Sequence, residues 1–167
     1  MSAAGLDVFA KTIQTTNIWL DEIEQRLGPD RRFAWKVLST VLHKLRDRLP
    51  VELSAHLSAE LPLLIRGVYY DQFKPSSQPT RCDCDAFIAE VGEWLADTRH
   101  VDPKEAVRAV FVVLSRHLPQ GQIAKVQSAL PEKLRAFWRN AEESAASPPE
   151  HARHGGDGSE ALQPRGL

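Results

Sequence analysis

Four Leu-Pro dipeptides, arranged in two pairs, constrain the fold of this chain more than any other feature. The dipeptides of each pair are twelve residues apart, and the second pair follows the first at an offset of 69 residues; they are Leu49-Pro50, Leu61-Pro62, Leu118-Pro119 and Leu130-Pro131. Other residues match at this offset without a gap, among them Val41 with Val110, Leu45 with Leu114, Arg66 with Arg135 and Tyr69 with Trp138. We interpret this register as the internal duplication of one unit.

Each Leu-Pro dipeptide predicts the start of a new helix. Proline suits the first turn of a helix, where its missing N–H would have no partner, and it moves the preceding residue out of the α region. The intervals between the prolines carry apolar residues at helical spacing, and no strand-like alternation appears. The sequence therefore predicts an all-α fold, a tandem duplication of a roughly four-helix repeat that forms a compact helical bundle.

The predicted domains follow from composition. The first helical repeat is expected at 1–73 and the second at 83–143, joined by a Pro- and Ser-containing linker at 74–82. The residues from 144 to 167 turn to Ser, Pro, Gly, Glu and His, which is typical of a disordered tail.

Apolar spacing and capping residues predict the individual helices. The first helix, at roughly 5–27, is expected to bury a stripe made of Phe9, Ile13, Ile18, Trp19, Leu20, Ile23 and Leu27. Leu64 and Trp94 are also expected to point inward on later helices. Asp30, Asp83 and Asp102 stand where N-cap residues belong.

Charge and hydropathy exclude several classes of function. The 167-residue chain has a formal net charge of -1 with both signs interleaved, so it lacks the basic stripe that binds nucleic acid. No apolar run approaches the ~18 residues of a membrane-spanning helix, and the N-terminal residues do not form a signal peptide. We therefore expect a cytoplasmic protein with no nucleic-acid or membrane partner.

The segment at 45–75, LRDRLPVELSAHLSAELPLLIRGVYYDQFKP, carries a family resemblance. Its run LPLLIRGVYY at residues 61–70 resembles the hallmark of the bacterial domain-of-unknown-function family numbered 2267, a run in which Leu-Pro is followed by Leu-Leu, Arg-Gly and Tyr-Tyr. The family loop that follows often has Gly-Trp before a proline, whereas this chain has Gln72-Phe73-Lys74 before Pro75. The resemblance covers roughly residues 5–143. It implies an all-helical bacterial protein in two similar halves, and it implies no activity.

The matched arginines Arg66 and Arg135 are the leading candidates for a binding site. Tyr69 and Tyr70 follow Arg66 by three and four residues, and Trp138 follows Arg135 by three, so each aromatic ring is within reach on a helix. A guanidinium over an aromatic face would bind a carboxylate, a phosphate or a partner's side chain. The alternative is structural, with each arginine covering aromatic surface and pairing with a carboxylate or a helix end.

Other residues with reactive or metal-binding side chains favour no specific site. Cys82 and Cys84 are too close together for a structural disulfide. We interpret them as incidental residues of a solvated linker; the alternatives are a metal site and a pair of reactive thiols at the start of a helix. His43 and Asp47 have the spacing of a surface ion pair. No Glu of the predicted bundle precedes a His by three residues, so the di-iron pattern is absent.

These observations favour a binding function over catalysis. We expect a non-enzymatic helical module for protein interaction or scaffolding, with no metal and no cofactor, whose partner is an unknown protein or a second copy. The alternative is a small-molecule or anion sensor that closes a groove between the repeats near Arg66 and Arg135.

Overall fold

A computed structural model describes residues 6–81 and 83–147, which form eight α-helices and one 3-10 turn and contain no strand. The helices are α1 (Asp7–Leu27), α2 (Arg31–Arg48), α3 (Val51–Ala59), α4 (Leu63–Tyr70), α5 (Cys84–Leu95), α6 (Pro103–His117), α7 (Gln120–Ala129) and α8 (Glu132–Ala146). The all-α prediction is confirmed. Cys82 and the predicted tail from residue 148 onward lie outside the described residues, and α8 extends three residues past the predicted end at 143.

The four Leu-Pro dipeptides mark helix starts, as predicted. Each proline directly precedes the first residue of α3, α4, α7 or α8, in an extended conformation with φ between -54° and -57°. The four leucines are all buried; they are Leu49, Leu61, Leu118 and Leu130. Each dipeptide therefore anchors the chain in the core at the point where a new helix begins.

Aspartate side chains cap three of the other helices. Asp30 accepts a hydrogen bond from the backbone N–H of Phe33 at 3.0 Å, and Asp83 accepts one from that of Ala86 at 2.8 Å. Asp102 caps α6 in the same way. These contacts satisfy N–H groups that have no partner within the helix, and the predicted caps are confirmed.

The helices of the two halves interlock around one core. Helix α6 packs against α1, α2, α5, α7 and α8, and α2 packs against α1, α4, α5 and α6. The first helix of each half thus packs on the second helix of the other half as well as on its own. The buried apolar side chains of both halves form one continuous cluster. None of the described helices combines the length and apolar composition needed to cross a bilayer.

Five of the apolar residues predicted to point inward are exposed; they are Phe9, Ile13, Ile18, Leu64 and Trp94. At 100° per residue, Ile18 lies well away from the buried stripe of Trp19, Leu20 and Ile23, so its inclusion in that stripe was wrong. Phe9 and Ile13 continue the stripe toward the start of α1, where the other helices leave them about half exposed.

Candidate functional site

Arg66 and Arg135 make the same three hydrogen bonds in the two halves. The Nε of Arg66 donates to the carbonyl of Ser58 at 2.8 Å, and one terminal nitrogen donates to Ala59 and Leu61. Arg135 donates to the residues 69 positions further along, which are Gln127, Ser128 and Leu130. Each guanidinium therefore caps the C-terminal end of the helix that precedes it, α3 or α7, where backbone carbonyls lack helical partners.

The aromatic residues of the predicted site are directed inward. Tyr69 and Trp138 are fully buried, and each polar atom has a serine partner: the Tyr69 hydroxyl lies 2.6 Å from Ser54 Oγ, and Trp138 Nε1 donates to Ser115 Oγ at 2.8 Å. Burial raises the pKa of Tyr69 well above its usual range, which keeps the hydroxyl protonated. Tyr70 is half-buried and bonds to Ser58 Oγ at 2.7 Å.

Among the described residues, the predicted platform of a guanidinium over an aromatic ring forms at neither Arg66 nor Arg135; the arginines that lie over rings are Arg46, Arg48, Arg99 and Arg108. Arg66 and Arg135 use their donors on backbone carbonyls, as in the structural alternative. A cavity of about 390 Å³ beside Arg135 is lined by Arg139 and Glu143 among others, but not by Arg66. The geometry thus gives no specific support to an anion site shared by the two arginines.

Because the two arginines make matching contacts, we expect Arg66→Ala and Arg135→Ala to lower the free energy of unfolding equally, by about 1 kcal/mol each. Urea unfolding of both variants measures this. Arg139→Ala is the control, since Arg139 is exposed on α8 and its loss should change stability by less than ~0.5 kcal/mol. If the losses in unfolding free energy of Arg66→Ala and Arg135→Ala differ by more than ~1 kcal/mol, the two arginines make matching contacts but do not contribute equally to stability.

Cys84 is a buried free thiol. It is 7% exposed at the start of α5, and burial, followed by the charges of Asp85 and Asp83, raises its pKa. A raised pKa lowers the thiolate fraction, which disfavours the alternative of a reactive thiol at Cys84. Within residues 6–81 and 83–147 no group of three or more His, Cys, Asp or Glu side chains is placed to hold a metal ion.

The predicted ion pair between His43 and Asp47 is also wrong. His43 Nε2 lies 2.6 Å from the carbonyl of Val68, and Asp47 instead accepts from Arg46 Nε at 2.9 Å and from Gln78. Helical spacing places His43 and Asp47 on one face of α2, but α4 and the segment after it offer both side chains other partners.

Sequence reasoning missed a surface of exposed apolar side chains on α1 and α4. We define the docking patch as Leu6, Val8, Phe9, Ile13, Leu63 and Leu64, each between 43% and 58% exposed. The backbone N–H of Leu64 donates to Thr12 Oγ1 at 3.0 Å, which joins the first turn of α4 to α1. The apolar stripe of α1 was visible in the sequence, and its continuation beyond the core was the available signal.

A cavity of about 370 Å³ adjoins the docking patch. Val8, Leu61 and Leu63 are among its apolar lining, and Trp19 and His117 stack on one another with ring centroids 5.4 Å apart. His117 Nε2 lies 2.8 Å from Glu22 Oε1, so a carboxylate of α1 orients the imidazole. The size and apolar lining suit one or two side chains of a bound partner.

Comparison with known proteins identifies a family but no activity. A family model described as an uncharacterized conserved protein (DUF2267) matches residues 16–137, which is most of the chain. A search of curated proteins returns no match.

Proposed function

The chain belongs to the DUF2267 family of uncharacterized conserved proteins, and we propose that it is a non-enzymatic protein-binding module whose contact surface is the docking patch. The partner lays apolar side chains against α1 and α4 and fills the cavity beside Leu63. The observation that carries this proposal is the exposure of six large apolar residues on two adjacent helix starts.

Such a surface is costly for a protein that binds nothing. Monomeric soluble proteins rarely expose contiguous apolar patches of more than a few hundred Å², and larger patches mark interaction sites. The core does not need these side chains, because it is already closed by fully buried residues such as Ile23, Phe33 and Leu45. Binding a partner would remove the docking patch from water and so lower the free energy of the complex.

The chemistry of the docking patch suits binding more than catalysis. Its six side chains are aliphatic or aromatic, so they provide no nucleophile and no acid or base. The hydroxyl of Thr12 accepts the N–H of Leu64, which fixes the relative position of the two helix starts. A preorganised apolar surface of this kind loses little conformational entropy when a partner binds.

We expect the double variant Leu63→Gln/Leu64→Gln to lose partner binding. Immobilised wild-type and variant chains are incubated with an extract of cells that naturally contain the protein, and retained proteins are identified by mass spectrometry. The Kd of each purified candidate is then measured. Truncating anchors at a contact surface typically costs over ~1 kcal/mol each, so the Kd should rise at least about tenfold.

Trp94→Gln is the matched control, because Trp94 is an exposed apolar residue on α5, outside the docking patch. It should retain the same partners with the same Kd. Circular dichroism and thermal unfolding establish that all three chains are folded. If every retained protein binds the Leu63/Leu64 variant as tightly as the wild type, the docking patch is not the contact surface and the proposal fails.

A further inference from the structure

Three residues of α1 and its N-cap residue Leu6 form an exposed apolar seam along the helix. Leu6, Phe9, Ala10 and Ile13 follow the spacing i, i+3, i+4 and i+7, which places them on one face. All four are exposed, and the three large ones are 58%, 50% and 52% accessible. This spacing is that of a contact between two packed helices, and no helix of the described chain covers it.

The seam carries no charge. At 100° per residue, Lys11 lies on the opposite side of α1 and Asn17 continues the line of the seam. Thr12 flanks the seam on one side, and Asp7 and Gln14 flank it on the other, each at roughly 90–110° from its centre. Arg31 reaches Asn17 at the far end, and its charge is paired with Asp21 and Glu24. A partner recognised by charge would need complementary groups here, whereas a contact with an identical surface must avoid charges that would meet their own kind.

The order of residues in the seam is self-complementary. Consider two antiparallel α1 helices in which Leu6 of one copy lies opposite Ile13 of the other. Three residues further along the first helix, Phe9 then lies opposite Ala10 of the second, because the second helix runs in the reverse direction. The largest side chain thus meets the smallest, and the two aliphatic side chains meet at each end. Alternation of large and small residues is what allows two helices to pack closely.

We infer that the chain forms a two-fold symmetric dimer through antiparallel contact of the α1 seams. This inference rests on the proposed function and identifies one partner of the docking patch as a second copy. The backbone N–H of Leu64 donates to Thr12 on the flank of the seam, so the exposed start of α4 lies on that side of α1. A standard interface buries ~800 Å² per partner, which is more than the four side chains of the seam supply. The dimer contact would therefore also include polar residues around the docking patch.

Sedimentation equilibrium of the wild type, Phe9→Glu and Ile18→Glu tests this inference. Phe9→Glu places two like charges at the two-fold axis and should raise the dimer Kd at least about tenfold. Ile18→Glu is the control, since Ile18 is exposed on the same helix but lies off the seam, and it should leave the Kd unchanged. A monomeric wild type at roughly 0.1 mM, or a dimer that Phe9→Glu leaves intact, overturns the inference.

Disulfide crosslinking tests the arrangement. In a chain with Cys82→Ser and Cys84→Ala, Ala10→Cys places one thiol near the axis, within the ~4–7 Å Cα separation that a disulfide spans. Oxidised glutathione should then convert Ala10→Cys, but not Ile18→Cys, to a covalent dimer; equal crosslinking of both overturns the arrangement. The dimer and the proposed function can fail separately. If the wild type is monomeric but Leu63→Gln/Leu64→Gln abolishes binding of a different protein, the dimer is refuted and the proposed function stands.

Discussion

Trp138→Ala is expected to lower the free energy of unfolding by about 3–5 kcal/mol. Trp138 is fully buried in α8, and its ring stacks on Phe111 of the central helix α6 with centroids 4.0 Å apart and an angle of 10° between the planes. Its indole N–H also donates to Ser115 Oγ. Alanine removes both contacts and leaves a cavity between α6 and α8. Urea unfolding followed by circular dichroism measures the loss.

Two variants separate the parts of this effect. Trp138→Phe keeps most of the ring but removes the N–H, so it should cost less than the alanine variant, about 1–2 kcal/mol. Trp94→Ala removes an exposed tryptophan and should change stability by less than ~0.5 kcal/mol. A loss below ~1 kcal/mol for Trp138→Ala would mean that α8 does not depend on this stack, and that packing of α8 on the core contributes little to folding.

The helices were predictable because their starts depend on local chemistry. Pro50 and Pro62 exclude the preceding leucines from the α region, and Asp30 and Asp102 have side chains short enough to reach the first free N–H groups. Neither effect needs information from distant parts of the chain. This is why these helix starts could be predicted before any packing was known.

The role of Arg66 could not be predicted from its spacing to Tyr69 and Tyr70. Its partners are the carbonyls of Ser58, Ala59 and Leu61, which come within reach only after the Leu61-Pro62 turn folds α4 back toward the end of α3. A carbonyl at the end of a helix lacks an internal partner and is a strong acceptor for a guanidinium. The Arg66 guanidinium therefore binds the carbonyls at the end of α3 and not the ring of Tyr69 or Tyr70.

The docking patch shows a second limit of sequence periodicity. The apolar spacing of α1 specifies which face of the helix is apolar, and Phe9 and Ile13 lie on the continuation of that face. Whether a face is covered depends on where the other helices end. Near Phe9 and Ile13 no described helix covers it, so residues predicted as core are available for binding.

Arg46→Met is expected to lower the free energy of unfolding by about 3 kcal/mol. Arg46 is 4% exposed, and one of its terminal nitrogens donates to the carbonyls of Tyr69 and Asp71 at 2.7 and 2.8 Å, where α4 ends. Its Nε donates to Asp47. Methionine fills much of the volume, but it removes the donors of the buried carbonyl of Tyr69 and the partly buried carbonyl of Asp71. Urea unfolding checks the loss, which should exceed that of Arg66→Ala.

The second half of the chain explains why an arginine is needed here. The residue 69 positions after Arg46 is Ser115, whose hydroxyl accepts from the indole of Trp138 and donates to the carboxylate of Glu142, not to the carbonyls at the end of a helix. Helix α4 stops at Tyr70, whereas α8 continues to Ala146, so the carbonyl of Trp138 stays within its own helix and needs no outside donor.

Arg46→Lys therefore distinguishes charge from geometry. A lysine keeps the positive charge but lacks the planar fork that reaches two carbonyls and Asp47 together. We expect it to restore less than half of the stability lost in Arg46→Met, with the segment from Asp71 to Phe73 becoming more sensitive to proteolysis in both variants. Full rescue by lysine would show that Arg46 acts as a charge near the end of α4 and not as a fixed set of donors.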